Sequence, residues 1–379
     1  MIEKIYIENF LDLAKHHVII DVRSPGEYKH AHIPGACNLP LFTDEERKVV
    51  GTAYKQQSRE AAIKTGLDFF GPKMKNMIEE VESLVRSQES GEKNKPLVSD
   101  SRLATPGSLL IYCWRGGMRS AGVAWLMDLY GFKVYTLIGG YKKFRNYVLD
   151  TFKLPFCFKI LGGYTGSGKT EVLKALEKKG EAIIDLEEIA KHKGSAFGNI
   201  GMPVQPGQEM FENILSCELR AVSHEQKKGS GNNSPFREPE GIWLEDESQR
   251  IGLINLPNDF WKTMRQSPVY FLDIPFEERL KHLVQEYGSL DKQSMIDAIG
   301  RIRERLGGLN AKNAILSLEE GNVVESFRIL LNYYDKHYLK ALHNRENINS
   351  LLHTVNCDSV TIENANILVS QFQYHNQDR

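Results

Sequence analysis

Two short stretches hold residues whose types and spacing could do chemistry. The first is Cys113-Trp114-Arg115-Gly116-Gly117-Met118-Arg119-Ser120. It lies between an apolar run at 109–112 and a helical pattern from about 119 to 130. A cysteine at a strand end, followed by glycines and a helix start, lets loop N–H groups converge on one point. The helix N-terminus adds positive potential there. Both effects favour the thiolate, the form that acts as nucleophile. Arg115 and Arg119 add cationic charge, and Arg119 can fork onto anionic oxygens. The spacing is C-x5-R. It makes a wider cradle than C-x4-R and suits a tetrahedral phosphate-like group better than bare sulfur. The expected catalytic residues are therefore Cys113, Arg119 and Arg115.

The second stretch, Gly163-Tyr164-Thr165-Gly166-Ser167-Gly168-Lys169-Thr170, matches G-x4-G-K-[ST] without a gap. It follows an apolar run and precedes a helical pattern at 171–178, the context that this motif requires. Gly163, Thr165, Gly166, Ser167 and Gly168 bring backbone N–H groups to phosphate oxygens. Lys169 supplies charge, and Thr170 can bind Mg²⁺. Such a loop wants a distant carboxylate for the metal. Ile242-Trp243-Leu244-Glu245-Asp246-Glu247 ends an apolar run in acids, so Asp246 or Glu245 could hold Mg²⁺ through water. Asp185, after Ala182-Ile183-Ile184, is a second candidate. Thr170 and Asp246 are taken as the expected metal pair. Arg250, Arg301, Arg303 and Arg305 could contact phosphates of a nucleotide, a prenyl donor or RNA. The run at 301–305 reads equally well as a solvated helix face.

The elements that must position these loops follow from apolar periodicity. Strands are expected at 18–20, 109–112 and 133–138, with amphipathic helix over 44–87 breaking near Gly66 or Gly71. A second set of strands is expected at 156–161, 182–185, 242–245, 269–274 and 351–355. Helices are expected between them at 168–179, 207–228, 276–288, 293–306 and 319–343. Strands alternating with helices argue an α/β fold with parallel sheets. The polar stretches 88–108 and 229–235 read as loops. The chain divides into 1–145, with a helical insertion, and 146–379, where about 276–345 forms a helical lid or subdomain.

Composition bounds the function class. The 379 residues carry 48 Lys and Arg against 49 Asp and Glu, a net charge of −1. That excludes a uniformly basic nucleic-acid wrapper. An apolar fraction of 41% supports real cores and excludes global disorder. The five cysteines show neither disulfide-scaffold nor zinc spacing. No apolar run approaches the roughly 18 residues that span a bilayer, and the start has no signal-peptide core, so the expected location is cytoplasmic, with no membrane partner.

Ile20-Asp21-Val22-Arg23-Ser24-Pro25-Gly26-Glu27-Tyr28, then His32-Ile33-Pro34-Gly35-Ala36, and the cysteine loop resemble the rhodanese family. Cys113 falls where that family carries a persulfide. The longer loop is more like that of rhodanese-fold phosphatases, and a chalcogen-phosphate substrate would reconcile the two. The chain as a whole resembles the tRNA 2-selenouridine synthase family, through 112–120 (YCWRGGMRS), 162–170 (GGYTGSGKT), 185–187 with 192–198 (HKGSAFG), 205–208 (QPGQ) and 245–252 (EDESQRIG). The segments 50–56 (VGTAYKQ) and 305–308 (RLGG) add to it.

This resemblance implies an N-terminal rhodanese-like domain and a C-terminal P-loop NTPase-like domain. It implies a transferase acting on tRNA that bears 2-thiouridine at the wobble position. The sulfur would first be S-alkylated by geranyl diphosphate. Selenium from selenophosphate, carried on Cys113, would then replace the alkylthio group. It also implies a selenophosphate-supplying enzyme as a partner. The residues fit: alkylation turns a poor leaving group into a better one, and Arg119 could neutralise the departing phosphate. Whether residues 163–170 grip geranyl diphosphate, with Mg²⁺ assisting, or a nucleotide stays open. The alternative from another class is a rhodanese-like sulfurtransferase or phosphatase fused to a P-loop kinase.

Overall fold

The computed structural model describes residues 2–89, 107–229 and 241–375. The expected loops at 88–108 and 229–235 fall almost wholly outside the described residues. The chain forms two compact units, Met1–Asp150 and Thr151–Arg379. The boundary expected at 145/146 lies inside the helix Gly140–Thr151.

The first unit is built on five parallel strands: β1 (Ile2–Ile5), β2 (Val18–Asp21), β3 (Cys37–Asn38), β4 (Ser108–Tyr112) and β5 (Lys133–Leu137). Their order is β1-β5-β4-β2-β3. The central strand β4 buries Leu109, Leu110, Ile111 and Tyr112 completely. A strand covered on both faces must read as a continuous apolar run, and this one does. β1 was not expected: three of its four residues are exposed, so its apolar signal is short. It holds its place by pairing in register with β5, Ile2 opposite Val134.

The helical stretch expected over 44–87 is three helices, Asp44–Gln56, Arg59–Phe70 and Met74–Glu89. The first break comes at 57–58, where the Ser58 hydroxyl caps the new helix by accepting from Ala61 N–H at 3.1 Å. The second is the short turn Gly71–Lys73, which contains Pro72. Gly66 stays helical, and a side chain there would crowd the Phe42 ring at 3.2 Å.

The second unit carries the parallel strands β6 (Phe158–Gly163), β7 (Ile183–Ile184), β8 (Ile242–Glu245), β11 (Val269–Asp273) and β12 (Leu352–Asn356), in the order β12-β11-β6-β8-β7. A separate antiparallel hairpin joins β9 (Arg250–Ile251) and β10 (Ile254–Asn255). The chain leaves the central strand β6 toward β7 and β8 on one side, then crosses to β11 and β12 on the other. The strand order thus reverses at β6, and in such sheets ligands bind beyond the C-terminal strand ends at that point.

The helical region holds Phe276–Tyr287, Lys292–Arg301, Arg303–Leu306, Gly308–Glu319 and Val323–His343. The helix expected at 319–343 starts at Val323, the one expected at 293–306 is two, and Gly308–Glu319 was not expected. Gly321 at φ +80° turns the chain, and the Asn322 side chain caps the last helix by accepting from Glu325 N–H at 3.1 Å. This region has its own core, with Leu280, Met295, Ala298, Ile299 and Leu331 buried. Among the described residues no helix is long and apolar enough to cross a membrane.

Candidate functional site

Cys113 follows β4 directly, and the helix Met118–Tyr130 begins five residues later. Its thiol is buried, with 3% of the residue exposed. Gly117 N–H donates to Sγ at 3.3 Å, and Ser120 Oγ lies 3.2 Å away. Ser120 also donates to the Gly117 carbonyl at 3.1 Å, so its single proton can turn to a thiolate when one forms.

A neighbouring turn clamps the loop. Tyr141 N–H donates to the Cys113 carbonyl at 2.9 Å and Lys142 N–H to the Trp114 carbonyl at 3.0 Å. Gly116, at φ +65°, approaches this turn so closely that a Cβ would stand 2.6 Å from the Leu137 carbonyl oxygen, which makes glycine necessary there. Asp21 and Arg23 form a buried ion pair at 2.6 Å beneath the loop. Tyr112 donates to Asp21, and the Arg23 guanidinium lies 3.9 Å from the Tyr141 ring centroid. That pair frames the loop and does not reach into it.

Arg115 is exposed. Arg119 pairs with Glu27 at 2.8 Å, and Arg47 reaches the same carboxylate oxygen at 2.9 Å. Burial pushes the Glu27 carboxyl up, but Arg119, the Ser24 N–H and Arg47 outweigh it and hold it below the usual carboxylate range. Glu27 is thus a site residue that sequence reasoning placed in a motif without a role.

At the phosphate loop, Gly163 N–H donates to the Tyr338 hydroxyl at 3.2 Å and Lys169 Nζ to the Gly163 carbonyl at 3.2 Å. The Thr165 carbonyl accepts from Arg279 at 3.1 Å. Arg279 is buried, forked onto Asp335 at 2.9 and 2.8 Å, with its guanidinium 4.6 Å from the Tyr164 ring centroid. No sequence signal marked Arg279, which looks like one more charge on an amphipathic helix. Ser167 is buried, and its hydroxyl has no partner among the described residues.

Beside this loop, Glu187, Glu245 and Glu247 each place a carboxylate oxygen within 4.8 Å of the others. Burial and mutual repulsion push all three up, Glu187 to about 9 and Glu245 and Glu247 to about 8, against the pull of Lys169. Glu245 Oε1 is buried without a partner among the described residues. Thr170 Oγ1 donates to Glu187 at 3.4 Å. Gly194, at φ +62°, walls the cluster. A Cβ there would stand 2.6 Å from one Glu247 oxygen and 3.0 Å from a Glu187 oxygen. Three carboxylates with an orphaned oxygen, a hydroxyl and a glycine-sized gap fit a hard divalent cation.

The expected metal pair of Thr170 and Asp246 is not brought together. Asp246 turns away to accept from the Tyr338 hydroxyl at 2.7 Å and to pair with Arg345. β8 ends at Glu245, and Glu247 N–H donates to the Glu245 carbonyl at 2.9 Å in a tight turn centred on Asp246, which sends Asp246 away from the two glutamates. Asp185 caps the helix Leu186–Ala190, accepting from Glu188 N–H at 2.8 Å. Arg250 is exposed on the hairpin and donates to the Gly252 carbonyl at 3.0 Å. Arg301 bonds the Ala196 carbonyl at 3.0 Å, and Arg303 and Arg305 are exposed. None of these four arginines reaches the phosphate loop. Glu187 and Glu247 lay inside quoted motifs, and their position just past two strand ends was the available signal.

A cavity of about 870 Å³ opens over residues 165–170 and the three glutamates. It continues along the helix Val323–His343. Phe327, Leu330 and Tyr334 line it, as do Leu283 and the rings of Phe197 and Tyr287, whose centroids lie 6.0 and 6.3 Å from that of Phe327. His337, Tyr338 and Ala341 line it further on, with Trp261 and Arg265. At about 1.5 Å per residue these lining turns extend over roughly 20 Å. The phosphate loop meets this helix at Tyr338, which lies between Tyr334 and Ala341 along it.

Comparison with known proteins agrees with both halves. Residues 6–147 match the rhodanese-like domain model, and residues 156–361 match the model of the tRNA 2-selenouridine synthase AAA domain. The chain is 33% identical to a tRNA 2-selenouridine synthase of Bdellovibrio bacteriovorus, over 86% of this chain and 89% of that one. One from Pseudomonas syringae pv. tomato is 33% identical, over 84% and 87%. One from Pseudomonas aeruginosa strain LESB58 is 34% identical, over 81% and 74%.

Proposed function

We propose that this chain, which belongs to the tRNA 2-selenouridine synthase family, converts wobble 2-thiouridine in tRNA to 2-selenouridine in two steps, one for each unit. In the first, the thiocarbonyl sulfur attacks C1 of geranyl diphosphate and diphosphate leaves. Residues 163–170 hold the diphosphate through backbone N–H groups and Lys169. Glu187, Glu245 and Glu247, with Thr170, would hold a Mg²⁺ ion that offsets the diphosphate charge. In the second, the Cys113 thiolate displaces geranylthiol from C2 and is itself displaced by the selenium of selenophosphate; water then takes the phosphoryl group from selenium, releasing phosphate and 2-selenouridine. Arg115 and Arg119 supply positive charge for the anionic donor, with Glu27 holding Arg119 at the loop. A separate enzyme supplies the selenophosphate, and the tRNA substrate sets the reaction in the cytoplasm.

One observation supports the prenyl donor over a nucleotide: the same cavity joins the phosphate loop to a wall of Phe197, Leu283, Tyr287, Phe327, Leu330 and Tyr334. A ten-carbon tail gains about 0.8 kcal/mol per buried methylene on such a wall, a gain that neither pyrophosphate nor the polar ribose of a nucleotide has. The test is calorimetry with geranyl diphosphate, pyrophosphate and ATP on the full chain and on Lys169→Ala. Geranyl diphosphate should bind at least tenfold more tightly than pyrophosphate, and Lys169→Ala should lose both binding and alkylation. A variant that loses ATP binding but keeps alkylating tRNA would contradict the assignment.

A further inference from the structure

The Trp261 end of the cavity is left over by a prenyl diphosphate, and its charges do not balance. Asp246 pairs with Arg345, whose side chain is wholly buried. Nε and Nη1 of Arg345 have no partner among the described residues. Arg265 stands near the same carboxylate. Burial, and then the like charge of Arg345, hold its guanidinium below the usual arginine range. Two guanidiniums therefore share one carboxylate, leaving this end with an excess positive charge. Arg265 is tethered by a 3.0 Å bond to the Ala341 carbonyl, and its guanidinium lies 5.6 Å from the Trp261 ring centroid. Both residues line the cavity, and so does Asn344.

A guanidinium that shares its carboxylate and stands beside an indole suits a ligand that is both anionic and aromatic. Single-stranded nucleic acid is such a ligand: its bases stack on aromatic rings and its phosphates meet arginine. The alkyl acceptor must also share a cavity with its donor, because the reacting atoms have to come within about 3.5 Å. We infer that Trp261 and Arg265 form the acceptor-nucleotide site, with Trp261 stacking on an unpaired anticodon base and Arg265 meeting a flanking phosphate. This rests on the tRNA substrate in the proposed function. It assigns RNA contact to the second unit, at residues other than Arg250, Arg301, Arg303 and Arg305.

The experiment measures binding of an anticodon stem-loop RNA carrying 2-thiouridine at the wobble position, by fluorescence anisotropy, with no prenyl donor present. Trp261→Ala should bind about tenfold more weakly or worse, the size of a lost base–aromatic stack. Trp261→Phe should stay within about threefold of the parent chain, since a ring remains. Arg265→Gln should flatten the slope of log K against log salt by about 0.7, one phosphate contact on a single strand. Geranyl diphosphate affinity, measured separately, should be unchanged in all three. RNA affinity and salt slope equal to those of the parent chain would overturn the site. A parallel loss of geranyl diphosphate binding would also overturn it, by showing that the variants merely disturb the fold. Because the RNA measurement needs no donor, it decides the acceptor site even if the donor assignment fails.

Discussion

The cysteine loop and the phosphate loop are both strand–loop–helix turns, yet their polar groups are satisfied in opposite ways. Around Cys113 the chain supplies the partners itself. Sγ has Gly117 N–H and Ser120, the loop carbonyls have Tyr141 and Lys142, and Arg119 has Glu27. Around Lys169 the Ser167 hydroxyl and Glu245 Oε1 are buried without partners among the described residues, and three carboxyls crowd one point. A buried group left unsatisfied costs about 1–3 kcal/mol, so that cost is maintained across the second loop. The first site is preformed and self-sufficient. The second is completed by what it binds, phosphates on the loop and a cation on the acids.

The largest effect expected from this contrast is at the acids. Glu187→Gln or Glu247→Gln should weaken Mg²⁺ binding by more than about tenfold, since even residues that only support metal ligands cost that much. The same variants should raise the melting temperature of the metal-free protein, because they remove repulsion. Calorimetric titration and thermal unfolding in chelator check the two halves. A variant that binds Mg²⁺ normally would break the comparison.

Glu27→Gln should do the reverse and lower stability by about 1–2 kcal/mol, as it strands Arg119 and Arg47. Here the pH sign is definite. The folded value of Glu27 lies below its ordinary 4.5, so its contribution is present above that pH and is lost as pH falls through the folded value. The smallest effect concerns Glu218 in the second unit. Burial, then Asp185 and Glu188, raise it to about 7. Its contribution is complete below 4.5 and lost as pH rises through about 7. Glu218→Gln should therefore stabilise the chain at pH 8 by up to about 1 kcal/mol after solvent screening, and not at pH 4. Denaturant unfolding at several pH values compares the two variants, and slopes of the same sign would contradict the contrast.

The parts legible in the sequence were those written in contiguous residues. Cys113 and the motif at 163–170 sit where apolar strands end, and both loops formed as their spacing implied. The α/β class and the two halves followed from strands long enough to read, such as Leu109–Tyr112 within β4. What the sequence hid depended on facing and on distance along the chain. Asp246 looked like the metal acid, but the tight turn just past β8 sends it to Tyr338 and Arg345 and leaves Glu245 and Glu247 on the phosphate side. Glu27 meets Arg119 across 92 positions, and Arg279 meets Asp335 across 56; no local pattern encodes such pairs. Strands β1 and β3 were too short or too exposed to show periodicity, and the cavity wall comes from three separated segments.

In the proposed function, two loops in two units perform two successive reactions on one nucleoside. That claim is tested most directly by mass spectrometry of nucleosides from tRNA bearing wobble 2-thiouridine. The tRNA would be incubated with geranyl diphosphate, selenophosphate and either the parent chain or Cys113→Ser. The parent chain should yield 2-selenouridine, and Cys113→Ser should stop at S-geranyl-2-thiouridine with no selenium incorporated. Selenouridine from Cys113→Ser, or no mass change at 2-thiouridine with the parent chain, would contradict the account.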